Sequence, residues 1–167
     1  LASSERFGDV DNIPLSNGEL IFSASFDGNF YAFDKKGSLR WKADVGAYSK
    51  ARIFQNQLIV PSSDNKLVFM DASSGKILKS LKLKSIASEV IVKDNLIIFN
   101  EANANLVVYD NIKSKIIASY EPGKGSLSKP SFDSEYGQIY LNSNAGNIHA
   151  LKLYYMDRRQ LWDWELK

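Results

Sequence analysis

The feature that most constrains this 167-residue chain is an internal repeat of about 40 residues. A polar turn followed by an apolar pair recurs as GELIF, NQLIV, DNLII and YGQIY. Aligning these segments puts Ile21, Ile59, Ile97 and Ile139 in one column, at spacings of 38, 38 and 42 residues. The end of the next apolar segment is a second landmark: Asp34 in NFYAFD, Asp71 in KLVFMD, Asp110 in NLVVYD and Lys152 in NIHALK, at spacings of 37, 39 and 42. Each unit holds four short segments rich in β-branched and aromatic residues, as in KARIF, QLIVPS, KLVFMD and KILKSLKL of the second unit. Between the middle segments lie FDGN, SDNK, ANAN and NAGN, whose Asn, Asp and Gly tolerate positive φ. No stretch of useful length carries apolar residues at helical spacing. Four antiparallel strands in each repeat predict an all-β chain. The architecture expected is a β-propeller of four-stranded antiparallel blades, four in this chain, over approximately residues 9–46, 47–84, 85–124 and 125–167 of a single propeller segment.

Composition excludes several function classes. There is no cysteine, hence no disulfide, thiolate nucleophile or cysteine metal site. A net charge of +2 gives no strong attraction to nucleic acid. No apolar run approaches the roughly 20 residues of a membrane-spanning helix. The first residues, LASSERFGDV, carry no basic and apolar leader pattern.

Few side chains suggest chemistry. Asp9 and Asp11 flank Val10, and in an extended segment both carboxylates point the same way, toward an Arg or Lys of a partner. The pair lacks the further oxygens a hard cation needs. His149, the one histidine, alternates with Ile148 and Ala150 on a strand and has no nameable catalytic partner, so it reads as a satisfied structural residue. Lys76, Lys79, Lys82 and Lys84 read as guards of an outermost strand against edge-to-edge pairing, with an anion-binding face as the other reading. Trp41 is expected to pack between blades, and Trp164 is left open between packing and binding. EPGKGSLSKP (121–130) has the glycines and lysine of a phosphate loop at the wrong spacing, and reads as an inter-blade connection.

YAFDKKGSLRWKADVG (31–46) resembles the repeat of quinoprotein-like (PQQ-like) propellers, in which Ala-x-Asp, a Gly turn and a Trp packed on the next blade recur. MDASSGKIL (70–78) is a partial copy without the Trp, YDNIKSKII (109–117) keeps only the Asp, and LKLYYMDRRQLW (151–162) keeps the Trp after a longer turn. More narrowly, RFGDVDNIPLSNGELIFSASFDGNFYAFDKKGSLRWKADVG (6–46) is similar to the start of the C-terminal half of BamB-type outer-membrane assembly lipoproteins. That resemblance implies a periplasmic, non-enzymatic scaffold on an eight-bladed ring, held at the membrane only by a lipid anchor that this chain lacks. It implies docking to the POTRA domains of a BamA-like barrel protein, with Asp9 and Asp11 in the contact and Arg6 beside them. It implies no cofactor, no metal, no catalytic residue and no nucleic-acid partner.

The chain departs from the family pattern after Leu153. QLWDWELK (160–167) is compatible with a fourth outer strand of its own or with a fused segment. The other functional readings are a fragment of a PQQ-dependent dehydrogenase and an extracytoplasmic sensor or adhesin domain. Four blades are half a ring, and each blade buries both faces. Completion by a second copy of the chain or by a preceding half-ring is therefore expected, ahead of a closed four-bladed ring.

Overall fold

The structure, a computed structural model, describes residues 13–25 and 28–154. Arg6, Asp9, Asp11, Trp162 and Trp164 lie outside the described residues. Those described form strands and turns with no helix. The first sheet is β1 (Leu15–Ser16), β2 (Leu20–Ala24), β3 (Phe30–Asp34) and β4 (Leu39–Ala43). The second is β5 (Arg52–Phe54), β6 (Gln57–Ser62), β7 (Lys66–Asp71) and β8 (Ile77–Lys82). The third is β9 (Ile91–Lys93), β10 (Leu96–Asn100), β11 (Leu106–Asp110) and β12 (Lys115–Tyr120). The fourth shows β13 (Ser131–Asp133), β14 (Gln138–Asn142) and β15 (Ile148–Lys152). Each sheet is an antiparallel meander in chain order. Together they make the open, four-bladed partial propeller that the repeat implied.

Strand register sharpens the alignment. Gln57 pairs with Asp71, Leu96 with Asp110, Leu20 with Asp34 and Gln138 with Lys152. The residues one step before the Asp column therefore pair with Ile21, Leu58, Ile97 and Ile139. Leu58, not Ile59, belongs in that column, which then has the spacings of the Asp landmark. The correction matters because a one-residue slip moves a side chain to the other face. Leu58, Ile97 and Ile139 face the preceding blade, and Phe22, Ile59 and Ile98 face the following one.

Three hydrophobic clusters fill the three interfaces. The first joins Phe22, Phe30 and Ala32 to Leu58, Val68 and Met70. The second joins Ile59, Leu67 and Phe69 to Ile97, Val107 and Tyr109. The third joins Ile98, Leu106 and Val108 to Ile139 and Leu141. The middle blades are covered on both sides, so β6 and β10 are buried along nearly their whole length. In the end blades β2 and β14 alternate. Ile21 and Ile148 point away from the stack and are 39% and 79% exposed.

Two local devices recur. A β-bulge falls at one equivalent position of each outer pairing, leaving Arg40, Leu78 and Ile117 without an opposite residue. Bulges and lysines both discourage pairing at a sheet edge. At the end of the third strand of the first three blades an Asp caps the turn. Asp34 accepts hydrogen bonds from the Lys36 and Ser38 amides (2.8 and 2.9 Å), Asp71 from Ser73 and Ser74 (3.1 and 2.8 Å) and Asp110 from Ile112 and Lys113 (3.0 and 2.8 Å). This is Asx-turn chemistry, and it explains why the landmark is an aspartate. The largest influences holding these carboxyls below their ordinary value are the Ser38 amide for Asp34, the Ser74 hydroxyl for Asp71 and the Lys113 amide for Asp110.

Trp41 sits where β4 pairs with Ala32 and crosses to the second blade. Its indole packs on Phe22 and Phe30 (ring centroids 5.8 and 6.2 Å), and its Nε1–H donates to the Ala72 carbonyl at 3.1 Å. The ring lies against Gly75, where an added Cβ would be 2.5 Å from Trp41 Cε3 and where φ is +72°. Inter-blade packing by Trp41 is thus observed, and it requires glycine across the interface.

Gly75→Ala is expected to cost about 2–4 kcal/mol, combining overpacking with backbone strain. Gly37→Ala meets open space at φ +83° and is expected to cost only the strain, about 1 kcal/mol. Denaturant unfolding of both variants, with Gly75→Ala repeated in a Trp41→Ala background, checks this: the second background must relieve part of the cost. The pH dependence has a definite sign. A carboxyl depressed in the folded state stabilises above its unfolded pKa, and that contribution fades as pH falls from 3.8 toward the folded value. Melting temperature should drop through that window and drop less in the Asp71→Asn variant. Equal acid slopes in the two proteins would count against the capping account.

Candidate functional site

The lysine row expected to guard an edge divides in the structure. Lys79 occupies the position of Trp41 one blade on: Trp41 pairs with Ala32, Lys79 with Phe69 and Ala118 with Val108. Its ammonium reaches the third blade and donates to the Asn111 carbonyl (3.1 Å), Asn111 Oδ1 (2.9 Å) and Ser114 Oγ (3.0 Å). It also lies 4.6 Å from the Phe69 ring centre and 5.2 Å from that of Tyr109, within cation–π range. Asn111 follows Asp110 as Ala72 follows Asp71, so tryptophan and lysine donate to the same backbone carbonyl of successive blades. The edge-guard reading is therefore corrected for Lys79, which is an inter-blade tie. Lys76, Lys82 and Lys84 are exposed.

Charge gathers where the inner strands meet. Glu89 Oε1 pairs with Arg52 of the second blade at 2.9 Å and with Lys129 of the fourth at 3.0 Å. The Arg52 Nε–H also donates to the Val90 carbonyl at 3.3 Å. One carboxylate thus joins three blades. A cleft of about 480 Å³ beside it is lined by Arg52, Lys93 and Lys129 with Ile91, Pro130 and Phe132. Two further clefts lie at equivalent places between blades. The first, of about 330 Å³, presents Asp44, Asp64 and Lys66. The second, of about 400 Å³, presents Lys82, Lys84 and Glu101. Hydrogen bonds from Lys66 first, then from the Ser62 hydroxyl, hold the Asp64 carboxyl below its usual range. These open, mixed-charge surfaces suit contact with another macromolecule. Among the described residues no three His, Asp or Glu side chains gather as metal ligands.

His149 Nδ1 is 3.0 Å from the Tyr120 hydroxyl, and the rings meet edge-on. Its Nε2 is buried without a hydrogen-bond partner. The expectation of a satisfied histidine holds for one ring nitrogen only, and among the described residues no acid or nucleophile is hydrogen-bonded to the other. Residues 121–130 run as an inter-blade connection. The Asn144 amide donates to the Gly125 carbonyl (2.9 Å), as Ser63 does to Gly46 (3.1 Å) and Ala102 to Ile86 (2.9 Å) in the earlier connections. Gly125, at φ +71°, lies so near Ala102 that any Cβ would strike its carbonyl oxygen. Its glycine serves close packing rather than phosphate.

The cross-blade role of Lys79 was not evident beforehand. The signal present in the sequence was the matched change from Trp41 opposite Gly75 to Lys79 opposite Ser114. Lys79→Ala is expected to lose about 2 kcal/mol, the range for hydrogen bonds from a charged group, while Lys76→Ala and Lys82→Ala stay within about 0.5 kcal/mol. Parallel urea unfolding of the three variants decides it, and equal effects would reinstate a plain edge row.

Comparison with known proteins agrees with this geometry. A family model described as outer membrane protein assembly factor BamB matches residues 3–126. No curated protein sequence matches the chain. Among solved structures it is similar to BamB from Moraxella catarrhalis, with a TM-score of 0.72 and 17% identity over 87% of this chain and 44% of that one. It is similar to the computationally designed Ika8 protein, with a TM-score of 0.72 and 14% identity over 84% of this chain and 45% of that one. The designed Ika4 protein matches at a TM-score of 0.68 and 14% identity, over 91% of this chain and 100% of that one. The chain spans less than half the length of the BamB structure it matches. At these identities the structural likeness shows the fold, and the fold is that of a PQQ-like, BamB-type propeller.

Proposed function

Because the chain belongs to the family of the outer membrane protein assembly factor BamB, we propose that it is a non-catalytic, protein-binding scaffold acting in the assembly of outer-membrane β-barrel proteins. The family match across residues 3–126, about three quarters of the chain, carries this reading. A periplasmic location at the outer membrane, with attachment through a lipid anchor on the whole protein, belongs to the same proposal. The partner proposed is the set of POTRA domains of a BamA-like barrel protein. The contact is assigned to Asp9 and Asp11, with Arg6 as their neighbour. An extended Asp-Val-Asp offers two anions on one side, suited to charge-assisted hydrogen bonds from Arg or Lys. The mixed-charge clefts between blades support a binding role, since they offer contact surface without an enclosed reaction chamber.

The test is direct binding of the full-length protein to purified POTRA domains, by calorimetry at low salt. Wild type should bind, and the Asp9→Arg/Asp11→Arg protein should bind at least tenfold more weakly, as expected when two interfacial charges reverse. Binding that ignores the reversal would remove these residues from the contact. No binding by wild type would sink the choice of partner.

A further inference from the structure

The three blade interfaces differ at one column of the repeat. The first is spanned by the Trp41 indole and the second by the Lys79 stem and ammonium. At the third, the equivalent residue is Ala118, which pairs with Val108 as Trp41 does with Ala32. Its methyl cannot reach the fourth blade. A cavity of about 180 Å³ lies there instead, lined by Leu106, Val108, Ala118, Ile139, Leu151 and Leu153. Tyr120 adds an aromatic wall, and Lys152 is the one charged residue of the lining among the described residues. Leu106, Val108 and Ile139 are all but fully buried, so the floor belongs to the core while the mouth stays open. Apolar cavities of about 150 Å³ accept a benzene-sized ring.

We propose that this cavity is a binding site for an indole-sized aromatic ring, presented by a tryptophan of a bound polypeptide. The first interface shows what the position takes. There an indole packs on apolar side chains from both blades and donates its N–H to the carbonyl one residue past the third strand, that of Ala72. The residue at that place in the fourth blade is Leu153, itself part of the cavity wall. The site therefore offers apolar walls in the place where the first interface seats its own tryptophan. The choice of ring follows from that internal precedent. The choice of a polypeptide as its source rests on the protein-binding role proposed above.

The experiment uses the full chain and N-acetyl-tryptophanamide as probe, followed by amide chemical-shift changes at Ala118, Leu151 and Leu153. N-acetyl-leucinamide is the control. Wild type should bind the indole probe at millimolar concentration and prefer it to the leucine probe. Ala118→Met, whose side chain imitates the Lys79 stem, should weaken binding at least tenfold without lowering the melting temperature. Ala118→Ser, which leaves the cavity open, should retain binding and so separates blocking from misfolding. Equal binding by wild type and Ala118→Met would overturn the site. If only a Trp162→Ala/Trp164→Ala protein binds the probe, the ring comes from this chain and the partner assignment is overturned. Silence in all of these proteins overturns the proposal whole. None of these outcomes depends on the barrel-protein contact at Asp9 and Asp11, so the two readings fail separately.

Discussion

A blade of this propeller is a sheet with two apolar faces, and everything else follows from the need to cover both. No unit can do so alone. The groups that bury Phe22 and Phe30 lie in the next repeat, in Leu58, Val68 and Met70. Those that bury Phe69 lie one repeat further on, in Ile97, Val107 and Tyr109. Full burial of such side chains is worth about 1.5–3 kcal/mol each, so the stabilising contacts are between units rather than within them. The covered middle blades and the alternating end blades are the same constraint seen with and without a neighbour.

Within that constraint one column shows how chemistry varies while geometry is kept. The acceptor is a main-chain carbonyl one residue past the third strand, at Ala72 of the second blade and Asn111 of the third. What reaches it is an indole N–H in one interface and an ammonium in the next. The opposite side of the interface changes to match. Trp41 needs the room of Gly75, whereas Lys79 leaves room for Ser114 and takes its hydroxyl as a third acceptor. Replacing only one member of either pair would leave a clash or an unmet polar group. The faint identity between repeats thus hides a paired substitution across the interface.

This also explains what could be read beforehand. The blades were legible because the capped turn recurs, and the Asp column that marks it is tied to backbone amides. The apolar column was misread at one place. QLIVPS is buried on both faces, so no alternation marks which of Leu58 and Ile59 faces back, and only pairing with Met70 and Phe69 decides it. Lys79 was misread because a lysine on an outer strand is usually solvated, and its partners Asn111 and Ser114 are more than thirty residues away. The inner junction of Arg52, Glu89 and Lys129 joins three repeats and has no local signature. The assignment of Arg6, Asp9 and Asp11 came from family resemblance, and no feature of the blades bears on it.

The distribution of order points to where binding can occur. Outer edges carry bulges and lysines, which oppose strand addition. Glu89 meets two cations through one oxygen. Each of those partly exposed pairs is worth at most about 1 kcal/mol, so the junction fixes blade position more than it adds stability. In the first two interfaces this column is filled by the chain's own Trp41 and Lys79. Among the described residues, what remains open to another chain is a set of clefts between blades, together with the third interface, where this column supplies only the methyl of Ala118. A scaffold stiffened by its interfaces can present such places in constant geometry, which lowers the ordering cost of each contact it makes.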